Sequence, residues 1–205
     1  MKENHVIWDD RYVKREERNR LNNHKSGFVL LTGLSASGKS TIAHHVEREL
    51  FNDGIHAYVL DGDNIRHGLN SNLTFSREDR KENLLRIVEV SKLFVDAGII
   101  VLGAFIFPYS EDREYVRKRF KDDNFLEIYV KCSIELCEQR DPKGQYQKAR
   151  AGIIKNYTGI SSPYEEPGNP DLIIDTEVTD IEGSIRLIRE LLISKKILSA
   201  LKTKR

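Results

Sequence analysis

The stretch that most constrains this chain is GLSASGKS, residues 33–40, called the phosphate loop below. It matches the pattern G-x-x-x-x-G-K-[ST] and lies directly between the apolar run 27–32 and a stretch with helical periodicity. Two glycines let the backbone wrap around an anion with its N–H groups inward, and the following helix N-terminus adds partial positive charge. The alternative, a glycine-rich turn that binds nothing, explains the sequence less well. We therefore predict a nucleoside triphosphate site.

Two side chains of this loop have chemical roles in that prediction. Lys39 is placed to reach the β- and γ-phosphates, and the hydroxyl of Ser40 is placed to bind Mg²⁺. The predicted cofactors are therefore ATP, as the triphosphate, and Mg²⁺.

Apolar runs and amphipathic stretches alternate along the rest of the chain. Strands are predicted at 27–32, 56–60, 99–106, 125–132 and 171–175. Helices are predicted from residue 39, over 79–97, over a short stretch ending at Arg140, and after a capping box formed by Thr179 and Glu182. This alternation predicts an α/β fold, a three-layer sandwich of the P-loop NTPase type with a parallel five-stranded sheet and a mobile lid.

The 205 residues suit one domain with a sizeable core. We expect a charged N-terminal arm or frayed helix over 1–25, one P-loop domain over 26–198 and a basic tail over 199–205. Residues 141–170 are rich in Lys, Gly, Pro and Tyr and lack a clear period. Long irregular segments in compact domains are usually binding loops, so this segment is the predicted lid.

Charge and hydropathy exclude several classes of partner. Lys and Arg number 33 against 32 Asp and Glu, so no overall basic field indicates a nucleic-acid partner. No apolar run reaches the ~18 residues of a membrane span. The polar first twenty residues do not fit a signal peptide, which favours a cytoplasmic location. Cys132 and Cys137 lack zinc-type spacing, and we expect two ordinary buried thiols.

The predicted second strand ends in DGDN, residues 61–64. Ligands of open α/β sheets lie beyond the carboxyl ends of the strands, so Asp61 and Asp63 are expected to face the phosphate loop. Their carboxylates could organise Mg²⁺ or accept a proton from a substrate hydroxyl. The same residues also suit a plain turn, and only the neighbouring phosphate loop favours the site.

Basic residues surround the start of the predicted helix 79–97, although helix starts favour acids. Arg80 and Asn83 are three residues apart, share a face and could grip one polar ligand. A solvated charged face is the alternative. The predicted lid carries further cations, which phosphoryl transfer uses to neutralise charge and exclude water. These lid cations are Arg140, Lys143, Lys148, Arg150 and Lys155.

Six blocks, in order and at matching spacings, resemble the adenylyl-sulfate kinase family over about residues 4 to 195. They are GLSASGKST, LDGDNIRHGLN, FSREDRKEN, RDPKGQYQKAR, NYTGISSPYEEP and NPDLIIDT. The resemblance implies that ATP phosphorylates the 3′-hydroxyl of adenosine 5′-phosphosulfate, a small-molecule substrate. Family members are commonly homodimers, so a homodimer is a further expectation of the resemblance.

The resemblance also implies site residues. Those for ATP are Gly33, Leu34, Ser35, Ala36, Ser37, Gly38, Lys39, Ser40 and Thr41. Those for the sulfonucleotide are Asp63, Asn64, Arg66, Phe75, Arg80, Asn83, Ile106, Phe107, Lys143 and Tyr157. Phe75 and Tyr157 would sandwich the adenine. Lys39, Asp61 and Asp63 are the candidate catalytic residues, and Ser40 and Asp61 the candidate metal ligands.

The chain departs from the family around residues 103–110, called the acceptor wall below. It reads FIFPY where the family usually reads FISPY, so Phe107 replaces a serine that is regarded as a phosphate acceptor. A phosphoserine intermediate at this position is therefore impossible, and direct transfer does not require one. Gly103 replaces a common threonine and Ser110 a common arginine. The paired changes at 103 and 107 are either a compensated repacking or a reshaped substrate pocket.

These departures leave two alternatives open. One is a P-loop kinase for another small acceptor, reached through the altered wall. The other is a nucleotide-binding homologue with impaired catalysis, motivated by Phe107.

Overall fold

A computed structural model describes residues 12–120 and 124–199. Within them, five parallel strands form one sheet in the order β2-β3-β1-β4-β5. The strands are β1 Gly27–Thr32, β2 Ala57–Asp61, β3 Ile100–Ala104, β4 Phe125–Lys131 and β5 Leu172–Asp175. All five predicted strands and their parallel arrangement are confirmed.

Eight helices accompany these strands in the described residues. They are α1 Arg15–Asn22, α2 Lys39–Asn52, α3 Gly62–His67, α4 Arg77–Asp96, α5 Ser110–Arg119, α6 Ile134–Arg140, α7 Gln145–Arg150 and α8 Ile181–Ser194. None of the helices described here is long and apolar enough to cross a membrane.

Alternate residues of the central strand β1 define two hydrophobic layers, because strand side chains point alternately to opposite faces. Val29 and Leu31 belong to the core shared with α2 and α8. Phe28 and Leu30 belong to the core shared with α4 and α5. The result is the predicted three-layer sandwich, in which the carboxyl ends of β1, β2 and β3 lie side by side.

The start of α8 differs from the prediction. The helix is capped by Asp180, whose carboxylate accepts a hydrogen bond from the Gly183 backbone N–H at 2.8 Å. Thr179 instead closes the preceding turn, with its N–H donating to the Asp175 carbonyl at 2.9 Å. The predicted capping box of Thr179 and Glu182 is therefore wrong, because a carboxylate one residue later accepts the free helical N–H.

The N-terminal segment contains α1, and both ends of this helix are hydrogen-bonded to residues next to the sheet. The Arg15 side chain donates to Ser26 Oγ and Asn124 Oδ1, both at 2.7 Å. Asn22 donates to the Gly98 carbonyl at 3.0 Å. Residues 1–11 of the predicted arm and 200–205 of the predicted tail lie outside the described residues.

A buried histidine follows α1 and joins it to the strand edge. His24 is 5% exposed, its Nδ1 contacts the Lys25 carbonyl at 2.9 Å, and its Nε2 lies 3.1 Å from the His56 N–H. A carbonyl only accepts and an N–H only donates, so the ring must be neutral with the proton on Nδ1. Burial lowers the pKa of His24 from its ordinary value.

The free energy of unfolding should therefore fall as the pH falls below about 6.5, the ordinary histidine pKa. In that range the unfolded chain binds a proton at His24 that the folded chain resists, so acid favours unfolding. Urea denaturation at about pH 7.5 and about pH 5 measures the loss. We expect a smaller loss in His24→Gln, whose amide can still accept from His56. Equal losses in the two proteins would contradict this role.

Candidate active site

The phosphate loop joins β1 to α2, as the sequence predicted. Its first residue, Gly33, passes so close to β4 that an added Cβ would lie 2.3 Å from the Val130 carbonyl oxygen. Ala36 has a φ of 60° and Gly38 a φ of 104°, so the chain turns through left-handed conformations before the helix begins. The loop needs glycine at Gly33 because no side chain fits there.

The N-terminus of α2 is open to an anion. Gly38 is the N-cap and provides no side-chain hydrogen bond, and no acidic residue lies in the first turn. The first N–H groups of a helix lack partners within the helix and carry partial positive charge. This end of α2 can therefore accept phosphate oxygens.

Lys39 is 7% exposed, and its ammonium donates to the Leu34 carbonyl at 2.6 Å. Burial lowers the pKa of Lys39 to about 8. A phosphate would favour the charged form and offer better acceptors than one carbonyl. Lys39 can therefore exchange its hydrogen bond to the Leu34 carbonyl for a contact with an anion.

Asp61 links the phosphate loop to the following strand. One oxygen, Oδ2, accepts from Ser40 Oγ at 2.6 Å. The other, Oδ1, caps α3 by accepting from the N–H groups of Asp63 and Asn64 at 3.0 and 3.4 Å. The cap fixes the carboxylate, so Oδ2 stays aimed at Ser40.

Asp63 faces a different group from Asp61. Its carboxylate forms an ion pair with Lys143 of the lid, and both side chains are more than half exposed. The Asp63 hydrogen bond raises the pKa of Lys143. The structure thus separates two carboxylates that the sequence left equivalent, since Asp61 adjoins the phosphate loop and Asp63 adjoins the lid.

Arg66 and Arg80 both lie beside Phe75, which is 57% exposed. The Arg66 guanidinium lies 4.3 Å from the ring centroid of Phe75. Arg80 Nε donates to the Phe75 carbonyl at 3.0 Å, and its Nη2 donates to the Asn156 carbonyl of the lid at 2.8 Å. The structure therefore brings together an aromatic face, two guanidinium groups and the lid.

Two predicted substrate residues, Asn64 and Asn83, lie on neighbouring helices. Asn64 is exposed on α3, and Asn83 is partly buried on α4. Asn83 Oδ1 accepts a hydrogen bond from Asn70 Nδ2 at 2.9 Å. The sequence analysis did not single out Asn70, because an asparagine in a polar loop looks like a turn residue.

The lid folds over the phosphate loop. Tyr157 packs edge-to-face on Tyr146, with ring centroids 5.0 Å apart. The hydroxyl of Tyr146 donates to the Ser35 carbonyl at 3.0 Å. The lid also contains α7, which the sequence analysis left irregular. Mobility of the lid remains a prediction.

The acceptor wall shows where the unusual residues lie. Phe107 is 6% exposed and stacks on Phe105, with ring centroids 5.1 Å apart and planes at 10°. A Cβ at Gly103 would lie 2.4 Å from the Phe28 ring and 3.0 Å from the Phe105 ring. Aromatic rings thus fill the space that a side chain at 103 would need, which favours the compensated repacking. Ile106 uses its carbonyl to accept from Thr32 Oγ1 at 2.6 Å.

Arg113 is a buried residue that bonds to the acceptor wall, and the sequence analysis missed it. It is 3% exposed and donates to the Phe107 carbonyl at 2.8 Å and the Glu165 carbonyl at 2.7 Å. Its Nε lies 2.9 Å from Glu127 Oε1, a buried ion pair. Phe107 has a φ of 35°, a strained value for a bulky residue. Arg113 therefore fixes the wall and joins it to the end of the lid.

The two thiols are free and buried, as expected. Burial and the neighbouring Cys132 raise the pKa of Cys137 to about 12. A thiol with so high a pKa is almost entirely protonated at neutral pH and is a poor nucleophile.

Known proteins share this sequence and fold. The family model described as "Adenylylsulphate kinase" matches residues 25–175. The adenylyl-sulfate kinase of Oceanobacillus iheyensis is 58% identical over 187 residues, 91% of this chain and 94% of the relative. That of Staphylococcus carnosus is 52% identical over 198 residues, 97% of this chain and 100% of the relative.

A solved structure supports the same conclusion. The Mycobacterium tuberculosis APS kinase in complex with AMPPNP and APS is 47% identical, with a TM-score of 0.79 over 82% of this chain and 98% of that one. This chain belongs to the adenylylsulphate kinase family.

Proposed function

We propose that this protein transfers the γ-phosphate of ATP to the 3′-hydroxyl of adenosine 5′-phosphosulfate. The observation that carries the proposal is the adjacency of two sites at one sheet edge. The phosphate loop, with Lys39 and an open helix end, is joined by the Ser40–Asp61 hydrogen bond to the start of α3. That helix carries Arg66, which lies with Arg80 beside the Phe75 ring. The related M. tuberculosis structure is described as a complex with AMPPNP and APS, an ATP analogue and this substrate.

In this proposal, residues 33–41 bind ATP and Lys39 clamps its β- and γ-phosphates. Arg66 and Arg80 neutralise the sulfonucleotide, while the rings of Phe75 and Tyr157 hold its adenine. Asn64, Asn83, Ile106 and Lys143 complete the substrate-binding residues, and Phe107 contributes by shaping the wall. Lys143 and Arg80 already contact their partners across the cleft, so the lid can exclude water during transfer.

Ser40 and Asp61 are the residues that would hold Mg²⁺. Both offer oxygen atoms, the ligand type Mg²⁺ prefers, and they lie 2.6 Å apart. Two oxygen atoms this close together could be ligands of the same ion. When bound, the ion neutralises charge on the β- and γ-phosphates. The α3 cap on Asp61 Oδ1 keeps its other oxygen in position.

Asp63 is the proposed proton acceptor. As the 3′-oxygen bonds to the γ-phosphorus, the bond from that phosphorus to the β,γ-bridging oxygen breaks and ADP leaves. The proton of the 3′-hydroxyl passes to the Asp63 carboxylate. Lys143 is already paired with Asp63 and holds that carboxylate in place at the cleft.

Phe107→Ser tests whether the wall residue takes part in the chemistry. We expect a change in turnover of no more than about fivefold, because phosphoryl transfer depends mainly on positioning and charge stabilisation. Turnover and acid-quenched phosphoprotein are the measurements. A large rise in turnover together with a trappable phosphoserine would contradict direct transfer.

A coupled assay of ADP release tests the proposed function and its alternatives. ADP release that requires adenosine 5′-phosphosulfate supports the proposal. Release with another small hydroxylated acceptor, and none with this one, indicates the second kinase. Calorimetric binding of both nucleotides without turnover indicates the impaired homologue.

Cellular location and assembly are further proposals. The free thiols are typical of a reducing compartment and support a cytoplasmic location. A homodimer rests on the family resemblance, and light scattering of the purified chain measures its mass directly.

A further inference from the structure

We propose that Asn70 is a positioning residue that sets which end of the Asn83 amide faces the sulfonucleotide. The inference rests on the proposed function, in which Asn83 binds that substrate. It adds the chemical class of the atom that Asn83 contacts, namely a hydrogen-bond acceptor.

Asn70 lies in the segment between α3 and Phe75 and is completely buried. Its backbone N–H donates to the Ile65 carbonyl at 2.9 Å, and its carbonyl accepts from the Leu73 N–H at 3.1 Å. These bonds fix the backbone at both sides of the residue. Its side chain is buried and bonds to Asn83 of α4.

The contact between the two amides has a defined polarity. Asn70 Nδ2 donates to Asn83 Oδ1 at 2.9 Å, while Asn70 Oδ1 is buried with no hydrogen-bond partner among the described residues. Reversing both amides would leave a buried NH₂ group without acceptors instead. Unpaired buried carbonyls are less rare than unpaired buried N–H groups, so the observed polarity is the favoured one.

The consequence falls on Asn83. With its oxygen turned to Asn70, the side-chain group directed away from Asn70 is Nδ2, a donor with two protons. Asn83 is partly exposed on the α4 face that it shares with Arg80. A donor at this place pairs with an acceptor atom of the sulfonucleotide, such as a ring nitrogen or an oxygen, and disfavours a donor atom there.

Asn70→Leu removes the donor while keeping a similar volume. Asn83 can then rotate, and we expect the dissociation constant for adenosine 5′-phosphosulfate to rise about threefold to tenfold, the worth of one hydrogen bond. The dissociation constant for an ATP analogue should stay within about twofold. Asn70→Asp is a second, isosteric variant whose acceptors would turn Asn83 Nδ2 inward, so it should weaken sulfonucleotide binding at least as much. Calorimetry measures both ligands, and thermal melting checks folding.

Asn72→Leu is the matched control. Asn72 lies in the same loop and also contacts α4, accepting from Arg86 Nη1 at 2.8 Å. Among the described residues, the side-chain hydrogen bond to Asn83 Oδ1 comes from Asn70 and not from Asn72. If Asn70 only holds the loop against α4, the Asn70 and Asn72 variants should lose equal sulfonucleotide affinity. If Asn70 positions Asn83, Asn70→Leu should lower sulfonucleotide affinity and Asn72→Leu should not. In an Asn83→Ala background, Asn70→Leu should then cause no further loss of affinity.

Three results would overturn the inference while leaving the proposed function intact. These are unchanged sulfonucleotide affinity in Asn70→Leu or Asn70→Asp, an equal loss in Asn72→Leu, and a full additional loss in the Asn83→Ala background. Failure of the wild-type protein to bind adenosine 5′-phosphosulfate would overturn both proposals.

Discussion

Lys39→Ala should lower turnover by at least about 10²-fold, because it removes a buried cation aimed at the β- and γ-phosphates. The side chain is buried beside the phosphate loop, at the N-terminus of α2. Steady-state ADP release with saturating substrates measures the effect. Circular dichroism confirms that the variant is folded.

Lys92→Ala is the control for loss of a lysine. Lys92 lies on the exposed side of α4, paired with Glu89 at 2.9 Å, so its removal should leave turnover unchanged. Activity of Lys39→Ala close to that of this control would contradict the assigned role of Lys39.

Arg113→Met should destabilise the folded protein by about 3–5 kcal/mol, because it removes the buried cation of the Glu127 carboxylate and leaves only the partly exposed Arg117 beside it. The carbonyls of Phe107 and Glu165 lose their donor at the same time. For a chain of this size the loss corresponds to a fall in Tm of roughly 6–20 °C. Urea denaturation measures the change in the free energy of unfolding.

Arg117→Met is the matched control on the same helix. Arg117 also contacts Glu127, at 3.2 Å, but its side chain is 37% exposed. We expect a loss of about 1 kcal/mol or less. Adding Glu127→Gln to Arg113→Met should recover part of the lost stability, since no unpaired charge then remains. Equal losses in Arg113→Met and Arg117→Met would show that the buried pair has no special importance.

The strongest patterns of the sequence predicted the sheet and the phosphate loop. Residues 28–31 are apolar, the glycine motif follows at residue 33, and the structure gives β1 over 27–32 as predicted. The apolar stripe of α2 predicted its buried face, where Ile42, Val46 and Leu50 are fully buried. Such features depend on local periodicity, which a single sequence shows directly.

The short helix α6 was predicted, but α3 and α7 were not, because tertiary contacts decide them. α3 has six residues and depends on capping by Asp61, which the sequence equally allowed to be a turn. α7 is also six residues long and lies inside a segment rich in helix-breaking residues. Its Tyr146 is buried against the phosphate loop. Helices this short have little stability of their own.

Long-range polar contacts were also beyond the sequence. Arg113 and Asn70 each occur among polar neighbours, where the default expectation is exposure to solvent. Their burial appears only when β4, α4 and the lid come together around them. The separation of Asp61 from Asp63 has the same origin, since it depends on the lid residue Lys143.

The most direct test of the proposed function follows the labelled γ-phosphate of ATP in the presence of adenosine 5′-phosphosulfate and Mg²⁺. We predict that the label appears on the 3′-oxygen of the sulfonucleotide, in step with ADP release, and that none is found on the protein. ADP release without a labelled sulfonucleotide, or label held on the protein before it reaches the nucleotide, would contradict direct transfer to this substrate.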